Sequence, residues 1–216
     1  MPDTGNDTSK AWPYWMLRHM MADDDQSFWD LVWSVGGSPP YGGISYEEAE
    51  AVYKLVENFR GAGVATPAHY QAVRKVLKGH PGRQRMIDLF HCYDQIVSDS
   101  EGYSRALADQ GLSIARAMKE PAAIGLFQLF QAGVLTREGR NAEAAALTLE
   151  AMDPLLEAAA ADEAYGHRAL QAAQNAVALT ALAGDVGKAA RLLDNFSEVL
   201  PQEAQTQLRR WIAARG

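Results

Sequence analysis

The sequence predicts an all-α protein, and three observations lead to this prediction. Apolar residues recur every three or four positions through most of the chain, which is the spacing that places side chains on one face of a helix. Glycine and proline fall mainly between these periodic segments, where they mark helix ends and turns. No segment alternates polar and apolar residues for long enough to indicate a strand.

Two short aromatic helices are predicted near the N-terminus. Residues 1–10 are polar and are expected to be disordered, and helices are predicted over 11–21 and 27–35. The acidic residues 23–25 suit the start of the second helix, because a side-chain acceptor and negative charge are favourable there.

The segment GGSPPYGG, residues 36–43, follows these helices. Six of its eight residues are Gly or Pro, so no helix is expected to cross it. The sequence therefore predicts a boundary here, between an aromatic-rich N-terminal helical piece over 11–43 and a helical-hairpin domain over 44–216.

Capping patterns locate the next two helices. Ser45 and Glu48 have the spacing of a capping box, and the helix after them is predicted to end at Gly61 and Gly63. The following helix is predicted to begin with Thr66 as N-cap and proline at the first helical position.

The helix that begins after Thr66 is expected to end near Gly79, with Pro81 closing it. Seven further helices are predicted, over residues 84–98, 101–118, 121–138, 141–159, 163–183, 186–199 and 202–214.

Small residues surround one of the predicted turns at a regular spacing. Ala132 precedes Gly139 by seven residues, Ala144 follows it by five, and Ala151 follows by a further seven. Small side chains let two antiparallel helices approach, and Gly favours the tight turn between them. The spacing resembles that of the tetratricopeptide repeat (TPR) family, whose helix pairs stack on one another to bury a shared core.

A second, imperfect copy of this pattern centres on Gly184. Val177 and Ala189 occupy its small-residue positions, Phe196 follows, and Pro201 falls where the family has a closing proline. A fainter third copy centres on Ala106 and has Glu101 in place of the turn glycine.

The resemblance covers roughly residues 84–216. The two turn glycines are 184 − 139 = 45 residues apart, which exceeds the family repeat of about 34 and requires longer helices or loops. The alternative is an ordinary α-helical bundle in which Ala and Gly lie at helix crossings. Both interpretations predict antiparallel helices.

Charge and cysteine content limit the classes of function. The formal net charge of −7 disfavours general attraction to nucleic acid and suits a basic protein partner. Cys92, the single cysteine, has no disulfide partner in the chain. No apolar run approaches the roughly 18 residues of a membrane span. Residues 1–9 lack the basic and apolar pattern of a secretion signal, so a cytoplasmic protein is expected.

The basic run RKVLKGHPGRQR, residues 74–85, has five Lys or Arg and no acid. One interpretation is a nucleic-acid contact. The favoured interpretation places Arg74, Lys75 and Lys78 in the last turns of a helix, where positive charge is favourable, and the remaining two arginines, Arg83 and Arg85, in a linker.

Four of the five tryptophans lie early in the chain, at Trp12, Trp15, Trp29 and Trp33. Each pair is spaced so that both rings project from one helix face. Such a face is a candidate hydrophobic surface for a partner helix. The favoured alternative is that the rings pack within the protein, with the N-terminal helices capping the array.

No catalytic, metal or cofactor site is predicted. His91 and Cys92 are adjacent, and consecutive helical residues do not face each other. No other His forms a recognised metal motif, and Cys92 is interpreted as a small buried apolar residue. GDVGKAA, residues 184–190, lacks the glycine spacing of a phosphate loop, and Asp185 is expected to cap a helix there.

The TPR resemblance implies a binding surface on the first helix of each pair. In that family this inner face commonly holds extended peptides or partner helices. Carried over by position, it includes Leu129 and Arg137 from the first copy and Gln171 and Gln174 from the second.

The preferred functional hypothesis is a non-catalytic protein-interaction module, such as an adaptor, chaperone or regulator, that holds a protein or peptide partner in a helical groove. The alternative is an all-α enzyme or small-ligand receptor with a site between the N-terminal piece and the helical array, where Tyr41 or Tyr46 would touch the ligand. The sequence contains no signal for an oligomeric state.

Overall fold

The computed structural model describes residues 12–22, 25–36, 45–62, 65–98 and 104–216. Over these ranges the chain forms helices and turns without a strand, which confirms the predicted all-α class. The chain divides into two compact units, Met1–Ser98 and Asp99–Gly216. In the described ranges, no helix combines the length and the apolar character needed to cross a membrane.

The described part of the first unit contains five helices: α1 (Trp12–Ala22), α2 (Asp25–Gly36), α3 (Tyr46–Ala62), α4 (Pro67–Val76) and α5 (Pro81–Ser98). Each of these helices packs on the next one, and α1 also packs on α5. Trp12, Tyr70 and Phe90 are among the largest fully buried side chains of this unit. The predicted boundary at residues 36–43 falls inside the unit, and only Gly36 of that segment is described.

Two helix starts in the first unit, those of α3 and α4, follow the predicted caps. The backbone N–H of Glu48 donates to the Ser45 hydroxyl at 3.1 Å, as in the first half of a capping box. Pro67 is the first residue of α4, as predicted. Gly61 lies inside α3, one residue before its end, and Gly63 lies outside the described residues, as do Asp23 and Asp24.

The start of α5 contradicts the prediction. Pro81 opens this helix rather than closing the one before it, because a proline lacks the N–H that the first helical position leaves unused. The chain reverses at Gly79, which has φ +103°. Arg83 and Arg85 consequently lie in α5 and not in a linker.

The described part of the second unit contains seven α-helices: α6 (Arg105–Met118), α7 (Pro121–Arg137), α8 (Asn141–Glu150), α9 (Met152–Ala161), α10 (Gly166–Leu182), α11 (Val186–Asn195) and α12 (Gln202–Ala213). A short 3₁₀ helix, Glu163–Tyr165, precedes α10. The faint third repeat copy around Ala106 spans the division between the units, and its position 101 lies outside the described residues.

The two predicted glycine turns both form, and they have the same geometry. Gly139 has φ +76° and Gly184 has φ +88°, a left-handed conformation that suits glycine. At the first turn the N–H of Arg140 donates to the Leu135 carbonyl at 2.9 Å. At the second, the N–H of Asp185 donates to the corresponding carbonyl of Thr180 at 3.2 Å. Each pair of helices therefore folds back at its glycine, as predicted.

The helix predicted over residues 141–159 is divided into α8 and α9. The division falls at Ala151, three residues before Pro154. Because proline has no N–H to donate to the carbonyl four residues earlier, it disrupts the helix in the preceding turn. The sequence pattern therefore predicts the extent of this segment but not its interruption.

Neighbouring helices of the second unit pack in succession. Helix α7 packs on α6, α8 and α9, α8 lies against both α7 and α10, and α10 packs in turn on α11 and α12. Ala132, Leu135, Ala144, Ala145 and Leu179, from α7, α8 and α10, form one buried cluster. This succession of antiparallel helices is compatible with a helical repeat.

Two glycines allow close contacts between helices of this unit. A methyl group added to Gly111 of α6 would lie 2.0 Å from the ring of Phe127 in α7. One added to Gly125 of α7 would lie 2.4 Å from Leu155 in α9 and 3.3 Å from the Ala151 carbonyl. The absence of side chains at these positions lets α6, α7 and α9 approach one another.

Candidate functional site

Helices α7 and α10 occupy equivalent places in the two hairpins, which sets the register of the candidate surface. Each ends in a left-handed glycine turn, and each packs on α8. Leu129 and Gln174 both lie ten residues before their turn glycine, since 139 − 129 and 184 − 174 are both 10. Gly133 and Ala178 likewise lie six residues before it.

The four predicted partner-binding residues all reach solvent. Leu129, Gln171 and Gln174 are half-buried, and Arg137 is exposed at the end of α7. The side-chain amide oxygen of Gln171, Oε1, accepts a hydrogen bond at 3.0 Å from Nη1 of Arg168. Arg168 is itself buried. That bond fixes the orientation of the Gln171 amide and leaves its NH₂ group available on the half-buried side chain.

Residues that the sequence interpretation missed complete this surface. Gly133 and Ala178 are half-buried, and Leu182 is exposed two residues before Gly184. Leu182 occupies the register position that Arg137 has in α7, since both lie two residues before their glycine. A comparison of sequence positions at equal distances before Gly139 and Gly184 would have identified these three residues.

The tryptophans of α1 and α2 do not form one surface. Trp12 is fully buried, and its indole N–H donates to Oε1 of Glu48 in α3 at 2.7 Å. Trp15 is half-buried, with its ring 4.9 Å from that of Tyr14. The core interpretation therefore holds for Trp12.

Trp29 and Trp33 on α2 have a different environment. Their exposed fractions are 42% and 65%, so both rings are accessible to solvent. Trp29 also contacts the ring of Phe28, with ring centroids 5.9 Å apart. Trp29 and Trp33 therefore remain candidates for a hydrophobic contact surface.

A polar cluster between α4 and α5 was not predicted. The Tyr70 hydroxyl donates to Oδ2 of Asp94 at 2.6 Å, and the Ser98 hydroxyl donates to Oδ1 of the same carboxylate at 3.2 Å. Tyr70 and Asp94 are both fully buried. They are 24 residues apart in the chain, so no local sequence pattern reveals the pair.

Arg74 extends the cluster toward the surface. Its Nε donates to Oδ1 of Asp88 at 2.6 Å, and its Nη2 lies 3.2 Å from Nδ1 of His91. Since a guanidinium can only donate, Nδ1 of His91 accepts and the neutral ring carries its proton on Nε2. The His91 ring also packs on that of Tyr70, with centroids 4.1 Å apart.

The surroundings shift the pKa values of three groups in this cluster, and burial is the largest cause of each shift. Burial, followed by the hydrogen bond to Asp94, raises the pKa of Tyr70. Burial also raises the pKa of Asp94, partly offset by the hydrogen bonds that it accepts. Burial and the charge of Arg74 lower the pKa of His91. This arrangement ties α4 to α5.

Cys92 is buried, as predicted, and is not paired in a disulfide. Burial raises the pKa of its thiol to about 11. The thiol is therefore protonated near neutral pH, whereas a nucleophilic cysteine reacts as the thiolate. Its environment matches that of a small apolar core residue.

An exposed ion-pair network lies at the turn between α7 and α8. Glu138 accepts hydrogen bonds from Arg105 at 2.7 Å and from Arg140 at 3.1 Å, and Arg140 also donates to Glu143 at 2.6 Å. An open cavity of about 290 Å³ adjoins it, bordered by this turn and by Leu182. Because the charges are already paired with one another and exposed, they give the cavity little excess charge.

No group of three or more His, Cys, Asp or Glu side chains in the described ranges is placed to hold a metal ion.

Comparisons of the chain with protein-family models, curated proteins and solved structures found no match.

Proposed function

We propose that this protein is a non-catalytic interaction module, an adaptor, chaperone or regulator built from TPR-like hairpins, which holds a protein or peptide partner against α7 and α10. One observation carries the proposal. Both helices pack on α8 and end in the same glycine turn, so they present their solvent-facing side chains in one register.

The side chains on these helices suit contact with a polypeptide. Leu129 offers an apolar contact, the NH₂ group of Gln171 can donate to a peptide backbone, and the amide of Gln174 can both donate and accept. Within the described part of the chain, Gln174 makes no hydrogen bond through its side chain, so a partner would not have to displace one.

The proposal is tested by recovering the partner with a site-directed control. The full chain is purified from its native cell, and a partner that elutes with it in stoichiometric amount is identified. The combined variant Arg137→Ala, Gln171→Ala and Gln174→Ala is expected to lose this partner while keeping its helical circular dichroism signal. Arg137 and Gln174 reach solvent, but Gln171 accepts a hydrogen bond from the buried Arg168, so the melting temperature of the variant is measured beside its circular dichroism to separate lost binding from lost stability.

A control variant matched in composition is Gln110→Ala, Arg116→Ala and Gln202→Ala, whose side chains are exposed on α6 and α12. It is expected to retain the partner. Equal retention by both variants would show that the partner does not bind α7 and α10. Stabilisation by a metabolite, with no protein partner recovered, would favour a small-ligand receptor instead.

A further inference from the structure

The C-terminal end of α12 has a charge opposite to that of the chain as a whole. Residues 204–216 contain Arg209, Arg210 and Arg215 and include neither Asp nor Glu, whereas the whole chain has a net charge of −7. All three arginines are exposed to solvent. This end of the helix is therefore a positively charged surface on an acidic protein.

An exposed indole ring lies beside two of these arginines. Trp211 is 38% exposed, and Cζ of Arg215 lies 3.2 Å from the centroid of its ring. Nη1 of Arg215 also donates to the Trp211 carbonyl at 3.2 Å. These two contacts hold the guanidinium against the ring, and the N–H groups that they do not use remain available to an acceptor. We call Arg210, Trp211 and Arg215 the arginine face. Arg209 is not included, because helical residues two apart, such as Arg209 and Trp211, point to different sides.

Within the described ranges, the arginine face has no carboxylate partner. Neither Arg210 nor Arg215 forms an ion pair there, whereas Arg105 and Arg140, which meet at the turn between α7 and α8, both pair with Glu138. The charges at that turn are thus already neutralised within the unit. The charges of the arginine face remain available to another molecule.

The helices that pack on α12 are α10 and α11, and neither supplies acidic side chains beside the arginine face. Helix α10 includes neither Asp nor Glu. The start of α11 lies beside the end of α12, since a methyl group added to Gly216 would lie 3.4 Å from Val186. The charged residues in the first half of α11 are Lys188 and Arg191, and both are exposed. They add to the positive charge at this end of the helix pair.

The acidic residues near this helix pair are bonded already or lie at its other end. Asp185, the residue before α11, accepts a hydrogen bond at 2.9 Å from the backbone N–H of Lys188 and so caps that helix. Asp194, Glu198 and Glu203 lie between the last turn of α11 and the first turn of α12. That end of α12 is the one opposite to the arginine face.

The helix dipole explains only part of this arrangement. Positive charge is favourable in the last turn of a helix, where Arg210 lies. That effect requires neither an exposed tryptophan nor a guanidinium held against its ring. Tryptophan and arginine are enriched among the residues that contribute most of the binding energy at protein interfaces.

From this charge complementarity we propose that the arginine face binds an acidic peptide segment of a partner protein. Carboxylates of the segment accept hydrogen bonds from Arg210 and Arg215, and an apolar side chain of the segment packs against Trp211. Nucleic acid has the same sign of charge, but it binds along a longer row of cations, and the net charge of −7 opposes its approach. The proposal concerns residues other than those on α7 and α10 and does not depend on the function proposed for them.

A displayed library of random peptides, each about a dozen residues long, tests the proposal when selected on the full chain at low salt. The selected peptides are expected to be rich in Asp and Glu and to include an apolar residue. Their affinity is expected to weaken by about tenfold or more between roughly 0.05 M and 0.5 M salt, because salt screens exposed ion pairs.

Neutralising substitutions locate the binding site of the selected peptides. The double variant Arg210→Gln and Arg215→Gln is expected to weaken their binding by about tenfold or more, because both charge-assisted bonds are lost. The control Arg85→Gln and Arg116→Gln makes the same change in net charge at exposed positions of α5 and α6, and it is expected to leave the affinity unchanged. Thermal melting of each variant verifies that it is folded.

Two further variants separate this surface from other sites and other contributions. Trp211→Ala is expected to weaken binding by about fivefold, because the ring that supports Arg215 is removed. The combined Arg137, Gln171 and Gln174 variant is expected to bind the selected peptides as well as the wild type does. Loss of these peptides in the combined variant would place them on α7 and α10 and reject the proposal.

Three other outcomes would overturn it. Selected peptides without an excess of Asp and Glu would reject the acidic ligand. Equal binding by the wild type and by the double variant would place the peptide site elsewhere. A single-stranded oligonucleotide that binds more tightly than the selected peptides, and that the double variant loses, would assign the arginine face to nucleic acid instead.

Discussion

At the scale of single residues, Glu48 shows which contacts a local sequence pattern can predict and which it cannot. Its spacing from Ser45 predicts a capping box, in which its carboxylate would bond the N-cap backbone. Only the Ser45 half forms as predicted. The buried carboxylate instead accepts from the indole N–H of Trp12 at 2.7 Å and from Nη1 of Arg83 at 2.9 Å, and so links α1, α3 and α5.

Replacement of this carboxylate is expected to destabilise the first unit. Glu48→Ala leaves the buried indole N–H of Trp12 and the guanidinium of Arg83 without their acceptor, at a cost of about 3 kcal/mol in the free energy of unfolding. Urea unfolding measures the change. Glu57→Ala, at an exposed position of the same helix, is the control and should shift stability by less than about 0.5 kcal/mol. Similar effects of the two substitutions would show that the Glu48 contacts contribute little.

His91 is expected to make stability depend on pH. Its pKa is lowered in the folded protein, so the unfolded chain binds the proton more readily. The contribution of the neutral ring is complete above the ordinary histidine pKa of about 6.5 and is lost as the pH falls below that value and through the lower pKa of the folded protein. Protonation would place a cation against Arg74, with Asp88 and Asp94 nearby to offset part of the repulsion.

Thermal melting at pH values from about 7.5 to about 5.5 tests this dependence. His91→Gln keeps an acceptor for Arg74 but cannot titrate, so its melting temperature should fall less on acidification than that of the wild type. His80→Gln, at an exposed position between α4 and α5, should retain the wild-type dependence. Asp94 contributes a slope of its own, and the charge on His91 lowers the pKa of Asp94, so the difference between the wild type and His91→Gln includes this coupling. Parallel curves for the wild type and His91→Gln would contradict the account.

Side-chain pairs of this kind could not be predicted from the sequence. Trp12 and Glu48 are 36 residues apart, and Tyr70 and Asp94 are 24 apart, so only the packing of separate helices brings them together. The burial of Cys92, in contrast, follows from its place among apolar residues at helical spacing and was predicted.

At the scale of helices and turns, three turns of the second unit share one geometry but not one residue type. The turns at Gly139 and Gly184 follow the predicted glycine pattern. The turn between α6 and α7 has Lys119 in the same left-handed conformation, with φ +56°. There the N–H of Glu120 donates to the Ala115 carbonyl at 3.2 Å, as in the glycine turns.

Substitutions at equivalent positions of these turns are expected to have opposite effects. Lys119→Gly relieves the left-handed strain of a residue with a Cβ atom and should stabilise the second unit by about 1 kcal/mol. Gly139→Ala introduces the same strain and should destabilise it by about 1 kcal/mol, although no atom lies within 4 Å of the added methyl group. Chemical denaturation measures both. Changes of the same sign would show that backbone conformation does not control the stability of these turns.

Helix ends and helix contacts differ in how well the sequence predicts them. Pro67 and Gly184 act through their own backbones, so their roles were read correctly. Pro81 was assigned to the wrong side of a turn, because proline fits both after a helix and at the start of the next. The close contact at Gly125 requires Leu155 of another helix, which no local pattern identifies.

At the scale of the whole chain, the second unit has the ends expected of a short helical array. Helices α6 and α12 are the first and last helices of its described part, and each buries only one face. The remaining positions of both helices are mostly exposed and polar, as in the terminal repeats of helical arrays. The all-α class and the two hairpins were predicted because their signals are local and repeated.

The candidate surface was predicted only in part. Leu129, Arg137, Gln171 and Gln174 follow from the family resemblance and lie at solvent-accessible positions, while their role in binding stays a prediction. The four tryptophans show the limit of reading a surface from spacing, because Trp12 is buried whereas Trp33 is exposed. Burial depends on which helix covers each face, and the spacing of residues within one helix does not specify that.

Photo-crosslinking of the co-purified partner shows whether the partner lies against α10. A photoreactive residue is placed in separate proteins at position 174 on α10, at position 33 on the exposed face of α2, and at position 110 on α6 as a control. We expect a covalent link to the partner from position 174 and none from positions 33 and 110. A link from position 33 without one from position 174 would contradict it, and would assign partner binding to the tryptophans of α2.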